Sequence, residues 1–496
     1  MKRAESRQLS FGFADSPQGS GKAKSSDVSE AEARLLHIAS DKGVVESAAR
    51  ADPDPPVSGL LERAASAPNM ARALLNVARN RGAAGVDGRS VKEVVEASPR
   101  LLPKLQSELL AGTFAPGDIR RVWIPKPGGQ GQRGLGIPNV VDRWVQQCVL
   151  QVLEPIFEPT FHPSSHGFRP NRGAHTAIAE ATKHICDGFD WVVDIDLSKF
   201  FDRVNHQRLL SRLAQRVQDG RILKLVHRML KAKVVLPDGT RVSTTEGTMQ
   251  GGPLSPLLSN VVLDELDWEL ERRGLRFVRY ADDVNIFVRS ERAGRRVLGS
   301  IRRFVEGRLR LKINEEKSSV DRPSNLHFLG FCLKLGKEGR VEVHMSERTE
   351  QRLNQRIREL TPRAWGGSLT TCIGRVNRYL RGWFGYFRIC TETGARRFGR
   401  YDAHIRRRLR AILVRQKGKR SRFLSRHLRA RGVSEGPAWT TAHGCRGAWA
   451  KSVTYAMHRA YGNAWFTERV VTLCQEWLRL HPPERVSGGQ LELFAT

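Results

Sequence analysis

Two short stretches of this sequence hold carboxylates at spacings that could do chemistry. In RYADDVNIF (279–287), Asp282 and Asp283 are adjacent, between runs that otherwise read as β-strand. Aspartate is depleted in strands, and a strand running straight through would send the two side chains to opposite faces. A hairpin with both carboxylates at the bend is the easier arrangement. Two like charges at a bend make either a solvated turn or a site for a hard divalent cation such as Mg2+. The second stretch is WVVDIDLSKFFDRVNH (191–206). Its first five residues read as a buried strand, which puts Asp194 and Asp196 on one face, with Asp196 where the strand ends. A strand-end aspartate and a hairpin-tip pair could together hold two such cations. Paired cations clamp the attacking and leaving oxygens of an in-line displacement. Asp196, Asp282 and Asp283 are the candidate ligands. Asp194 is assigned to structure, and Asp202 to a turn or cap.

These carboxylates need elements to position them. QGGPLSP (250–256) is a loop feeding a helix, with Ser255 expected as N-cap, Pro256 at the first helical position and Gly274 as the stop. Leu258, Val262, Leu266 and Leu270 form an i, i+4 core stripe on that helix. Gly251 and Gly252 carry no Cβ, so strand backbone or a nucleotide can approach there, and the Gln250 amide can hydrogen-bond. Residues 119–138 predict two short strands joined by a basic, Gly-rich loop. From about 139 to 335 helices alternate with strands, an α/β or α+β body.

Charge points the same way. The chain has 496 residues with 83 Lys+Arg against 51 Asp+Glu, a net charge of +32, and a pI near 10.7. That excess implies a polyanionic partner, nucleic acid before membrane. Residues 403–433 hold twelve basic residues and no acidic one. Their spacing fits a helix with Ile405, Leu409, Ile412 and Leu413 inside. Arg406, Arg407, Arg408 and Arg410 lie around the rest and are expected to face RNA or DNA. Seven scattered cysteines with no Cys-x-x-Cys spacing predict a reducing compartment and no zinc site. No apolar run is long enough to span a membrane, and no signal peptide opens the chain. Residues 1–58 read as a largely disordered leader with one short helix near 29–39.

The order of motifs resembles a bacterial group II intron-encoded reverse transcriptase/maturase of the endonuclease-lacking type. LLERAASAPNMARALLNVARNRGAAGVDG is similar to the family's N-terminal extension. IPKPGGQGQRGLGIP and FEPTFHPSSHGFRPNRGAHTAI resemble its fingers blocks. DIDLSKFFDRVNH, GTMQGGPLSPLLSNVVLDELD, RYADD, LRLKINEEKS and FLGF resemble the palm, and YLRGWFGYFR the thumb/maturase segment. Met249 stands where the family usually has Pro. The resemblance implies an α+β right-hand polymerase with an α-helical thumb/maturase domain. Its divisions are a leader (1–58), N-terminal extension (59–115), fingers and palm (116–340), thumb/maturase (341–440) and basic tail (441–496). It implies two Mg2+ ions on Asp196, Asp282 and Asp283, with dNTP contacts from Lys126, Arg133, Phe201 and Gln250. Phe201 would be the aromatic wall under the sugar. Primer and template would meet Gly251, Gly252, Arg381 and Arg388. Asn314 and Lys317 would brace the palm, and at least two of Trp383, Phe384, Tyr386 and Phe387 would be core. Implied partners are the intron RNA, RNA template, DNA primer, target DNA and dNTPs, in the bacterial cytoplasm at the nucleoid and away from membranes. His443, Cys445 and His458 lack the spacing of a metal quartet, which reads against an endonuclease. Rival readings are a domesticated relative in phage defence or CRISPR adaptation, a non-catalytic splicing factor, and an RNA-copying RNA polymerase, which Phe201 disfavours.

Overall fold

The computed structural model describes residues 30–40, 59–125, 131–336, 339–391, 393–418, 420–444 and 447–482. The chain divides into two compact units between Asp321 and Arg322. The first opens with helices α1 (Glu30–Ser40), α2 (Leu60–Ala65), α3 (Ala67–Arg79), α4 (Val91–Glu96) and α5 (Ser98–Leu110). Leu35 of α1 is buried in the same core as Met70 and Leu74 of α3. The short helix expected near 29–39 is therefore present and packed; the rest of the expected leader, 1–29 and 41–58, lies outside the described residues. Next come β1 (Ile119–Pro125), β2 (Gln132–Ile137), α6 (Val140–Phe157), α7 (Ala174–Cys186), β3 (Trp191–Asp196), α8 (Phe200–Arg203), α9 (His206–Ala214) and α10 (Gly220–Leu230). The unit closes with β4 (Val234–Val235), β5 (Arg241–Val242), α11 (Ser255–Arg272), β6 (Arg276–Tyr280), β7 (Asp283–Val288), α12 (Glu291–Phe304) and β8 (Ser319–Asp321).

Two four-stranded sheets organise this mixed α/β unit, in the orders β2-β1-β4-β5 and β6-β7-β3-β8. The second carries the carboxylates. In β3, Val193 and Ile195 are fully buried while Asp194 and Asp196 on the opposite face are half-buried. That alternation is the reason the strand holds its register: a slip of one residue would bury the charges and expose the valine and isoleucine. Helix α11 packs in the same core as β7, with Leu258, Val262, Leu266 and Leu270 all buried as the sequence predicts. Each such side chain contributes about 2 kcal/mol of transfer free energy, so tertiary burial rather than end chemistry fixes this helix. Gly274 follows α11 at φ 67, the left-handed stop expected of it.

The start of α11 differs from expectation. Leu254 is the N-cap and Ser255 the first helical residue. The Ser255 hydroxyl instead donates to the Met249 carbonyl at 2.5 Å, closing the QGGPLSP loop on itself. The boundary between units also falls earlier than the sequence texture suggests. The strands β9 (Phe331–Leu335) and β10 (Val341–Met345) pair with each other inside the second unit.

The second unit is otherwise helical: α13 (Glu347–Leu360), α14 (Leu369–Phe387), α15 (Thr393–Lys417), α16 (Ser421–Arg429), α17 (Glu435–His443), α18 (Gly447–Lys451), α19 (Tyr455–Ala460), α20 (Asn463–Thr467) and α21 (Leu473–Leu480). Ile405, Leu409, Ile412 and Leu413 of α15 are buried, as their spacing predicts, and so are Phe384 and Phe387 of α14. Among the described residues no helix is long and apolar enough to cross a membrane.

Candidate active site

The β6–β7 hairpin turns through Ala281 and Asp282 alone. Asp283 is not at the bend but opens β7, paired with Tyr280 on one side and with Asp196 on the other. Residues directly opposite in an antiparallel pair project from the same face. Asp196, Asp283 and, two residues back along β3, Asp194 therefore share one face of the sheet, with Asp282 at its end. The end of β3 is anchored by residues 314–318. Asn314 N–H donates to the Asp196 carbonyl (2.9 Å), and the Asp196 N–H donates to Ser318 Oγ (3.1 Å). Lys317 Nζ lies 3.4 Å from Asp196 Oδ2. The sequence identifies Asn314 and Lys317 only as braces; that the lysine reaches this carboxylate was not visible in it.

Electrostatics describes a crowded anionic site. Asp283 is pushed up to about 7, first because surrounding protein excludes water, then by Asp282, Asp194 and Asp196, against Arg133. Asp282 is raised too, by desolvation and by Asp196, opposed by its own backbone N–H, Arg133 and Arg279. Asp194, pushed up to about 6 by desolvation and Asp196, belongs to this anionic group, so its assignment to structure alone understates it. By surface area Asp283 is the exposed first residue of β7, and the charges of Asp282, Asp194 and Asp196 add to desolvation in raising it.

The residues suit a hard divalent cation. The donors are all carboxylate oxygens, they repel one another, and a lysine already supplies positive charge beside one of them. Among the described residues, no three acidic, histidine or cysteine side chains close on a single point as they stand. The register holds the backbones in place, and rotation of the side chains is what remains for ligation. This predicts a pH dependence. A carboxyl whose folded pKa is raised costs stability when ionised. For Asp283 the penalty is absent below the unfolded value of 3.8, grows with pH and is complete above about 7. Cation binding needs the ionised form and relieves the repulsion. Mg2+ should raise the melting temperature little at a pH about one unit below this midpoint and clearly more at about one unit above it. A Mg2+ effect independent of pH across that range would contradict the shift.

The other expected contacts are placed as follows. Arg133 is exposed on β2 opposite Ile124, and its charge acts on Asp282 and Asp283. Lys126 and its loop lie outside the described residues. Phe201 is half-buried on α8, edge-on to Phe200 at 5.1 Å. Its carbonyl accepts from Thr248 N–H at 2.6 Å, which ties α8 to the loop before Gln250. The Gln250 carbonyl accepts from Gly136 N–H at 2.9 Å. A Cβ on Gly251 (φ +126) would stand 2.6 Å from the Gly136 carbonyl, and one on Gly252 would stand 2.3 Å from Gln146 Oε1. Gly251 is thus required by the close approach of β2, whereas a side chain at Gly252 would have to displace the end of Gln146.

In the second unit Arg381 and Arg388 are exposed on and just after α14. The α15 arginines do not all point outward. Arg410 is 3 % exposed; its Nε donates to the Tyr461 carbonyl (2.9 Å) and its Nη1 lies 3.2 Å from His458 Nε2. Arg408 donates through Nη2 to the Thr361 carbonyl (2.6 Å) and through Nε to Thr361 Oγ1 (2.5 Å). Arg407 stacks on Trp449 at 4.0 Å. Arg406 is half-exposed. The expectation that all four face nucleic acid is corrected for Arg410 and Arg408. Cys445 lies outside the described residues, and His443 stacks on Trp439 at 4.8 Å.

The chain thus joins a mixed α/β unit, whose sheet brings aspartates to a hairpin tip, to a basic and largely helical unit that follows it in sequence. Residues 124–333 match the reverse transcriptase (RNA-dependent DNA polymerase) family, and residues 350–432 match the group II intron maturase-specific domain. The chain belongs to the group II intron-encoded reverse transcriptase/maturase family. It is 32% identical to Protein YkfC of Escherichia coli (strain K12) over 334 residues, covering 59% of this chain and 84% of that one. It is 27% identical to the group II intron-encoded protein LtrA of Lactococcus lactis over 310 residues, 49% of this chain and 51% of that one. The chain thus spans about half the length of the Lactococcus relative. A chain of a solved Cas6-RT-Cas1--Cas2 complex aligns over 50% of this chain and 26% of that one, at TM-score 0.34 and 22% identity, a likeness too slight to bear on function.

Proposed function

We propose that this protein is an RNA-directed DNA polymerase that extends a DNA primer on an RNA template, and that it also binds its parent intron RNA to assist splicing. Its polymerase unit is read as the fingers and palm of a right hand, and its helical unit as thumb and maturase domain. The observation that carries the reading is the register Asp196↔Asp283 with Asp282 at the adjoining tip. Asp196, Asp282 and Asp283 hold two Mg2+ ions. When bound, such cations would supply Lewis-acid stabilisation of the charge that develops in phosphoryl transfer.

The chain's own residues orient the reactants. Arg133, whose field already reaches the carboxylates, suits a triphosphate, and Lys126 is proposed to share that role. Gln250, whose carbonyl ties the loop to β2 by accepting from Gly136 N–H, is proposed to contact the incoming nucleotide. Arg381, Arg388, Arg406 and Arg407 offer cationic surface to nucleic acid. The basic excess supports work at RNA and target DNA, proposed to take place in the cytoplasm at the nucleoid. The rival of a splicing factor without catalysis has no use for three carboxylates held together against their repulsion.

The direct test is extension of a DNA primer on an RNA template by the full chain with Mg2+ and dNTPs. No Mg2+-dependent product would overturn the reading. Phe201 makes it specific. Its ring stands on α8, five residues past Asp196, where a bulky side chain strikes a ribose 2′-hydroxyl. In Phe201→Val the ratio of ribonucleotide to deoxyribonucleotide incorporation should rise by about tenfold or more, the scale on which pocket fit discriminates. An unchanged ratio would reduce Phe201 to a core residue.

A further inference from the structure

Behind the Asp282 turn lies a buried ionic centre that the chemistry above does not use. Arg279, Asp267, Asn260 and Ser165 are all fully buried. The Arg279 guanidinium spends every donor. Nε donates to Asp267 Oδ1 (2.7 Å) and Oδ2 (3.0 Å), and Nη2 to Asp267 Oδ2 (2.6 Å) and Ser165 Oγ (2.7 Å). Nη1 donates to Asn260 Oδ1 (2.9 Å) and to the carbonyl of Ala281 (3.0 Å). That last bond reaches the turn itself. Ala281 has φ 56, a left-handed conformation that a residue with a Cβ keeps only when its surroundings impose it. The turn is pressed from the other side by Gly167, where a Cβ would come 2.2 Å from Ala281 N. Gly167 is held in turn by Asn260, whose Nδ2 donates to its carbonyl at 3.0 Å. The backbone of the same segment pairs with Arg279: Arg279 N–H donates to the Ser164 carbonyl and His166 N–H to the Arg279 carbonyl, both at 2.9 Å.

A buried ion pair is a poor way to gain stability, since an apolar pair of similar volume does as well or better. What apolar side chains lack is a donor for the Ala281 carbonyl and for Asn260 at once. We propose that Arg279, oriented by Asp267 and Asn260, is a positioning residue for nucleotide transfer. It fixes the Ala281–Asp282 turn, and so the place of the Asp282 carboxylate, and it locks that turn to the 164–167 segment. The proposal rests on the reading of Asp282 as a cation ligand.

The test uses the full chain and three variants. In Arg279→Met/Asp267→Leu the ionic centre becomes apolar. Melting temperature should fall, because the Ala281 carbonyl and Asn260 Oδ1 lose their donor, while RNA binding by the folded protein stays close to wild type. Amide exchange at Tyr280–Val284 should quicken on the order of tenfold, and kcat should fall about 100-fold with KM for dNTP little changed, the size expected of a misplaced group. Arg279→Lys keeps a charge on Asp267 but cannot reach Asn260, Ser165 and Ala281 together, and should show the same kcat loss even if the double variant does not fold. Wild-type kcat in Arg279→Lys, or quickened exchange with undiminished kcat in the double variant, overturns the proposal. Asp282→Asn separates the two readings. Normal synthesis by that variant would strike at Asp282 as ligand, whereas the exchange rates report on Arg279 alone.

Discussion

Asp282→Asn should abolish cDNA synthesis while leaving RNA binding and melting temperature near wild type. The amide keeps the size of the side chain and loses the charge. The residue stands at a two-residue turn next to Asp283, where burial first and then the charge of Asp196 raise its pKa. Removing the charge relieves the folded chain of a like charge, so no loss of stability is expected. What is lost is a ligand for cations that neutralise the transferring phosphoryl group. Losing such a group should slow transfer by about 10³-fold or more. Primer extension read by single-nucleotide product, beside intron RNA binding on the same preparation, checks both halves. Extension within a few-fold of wild type by the folded variant would end the assignment.

Arg410→Met should unfold the second unit at lower temperature without changing how the folded protein responds to salt. The guanidinium is buried against the Tyr461 carbonyl, beside His458 and over the Phe466 ring at 5.3 Å. Burial pulls its pKa down, the mark of a desolvated cation that depends on its partners. Methionine fills the space but leaves the carbonyl without a donor, a loss of about 2–3 kcal/mol for a bond to a charged group. Half-exposed Arg406 on the same helix is the contrast. Arg406→Gln should keep the melting temperature and lower the log–log salt slope of RNA binding by about 0.7 for one lost phosphate contact. The measurements are thermal unfolding and RNA affinity over a salt series. An Arg410→Met protein with normal melting and a flattened slope would return Arg410 to the nucleic-acid surface.

Much of the site was legible without coordinates because it depends on local pattern. Alternation along 191–196 suffices to put Asp194 and Asp196 on one face, and two aspartates between β-like runs suffice for a turn near 282. The i, i+4 stripe from Leu258 to Leu270 suffices for a buried helix, and the buried row of α15 follows from Ile405, Leu409 and Ile412. Each is a short-range consequence of strand or helix geometry. The misplaced details are equally local in kind but depend on one hydrogen bond. Ser255 has the composition of an N-cap, yet its hydroxyl found the Met249 carbonyl instead.

Residue types alone set the chemistry available: carboxylates for a hard cation, a basic surface for a polyanion, and glycines where chains approach. The tertiary structure decided which groups meet. The register that sets Asp196 against Asp283 joins strands distant in sequence, and no local periodicity specifies a partner. The approach of Lys317 to Asp196 and the burial of Arg279 behind the Asp282 turn are of the same kind. Among the arginines of α15 the point is sharpest. A long cationic side chain reads alike in sequence whether it reaches water, as half-exposed Arg406 does, or a carbonyl just past the end of another helix, as Arg410 does. Only the position of Tyr461, fifty-one residues further on, settles it.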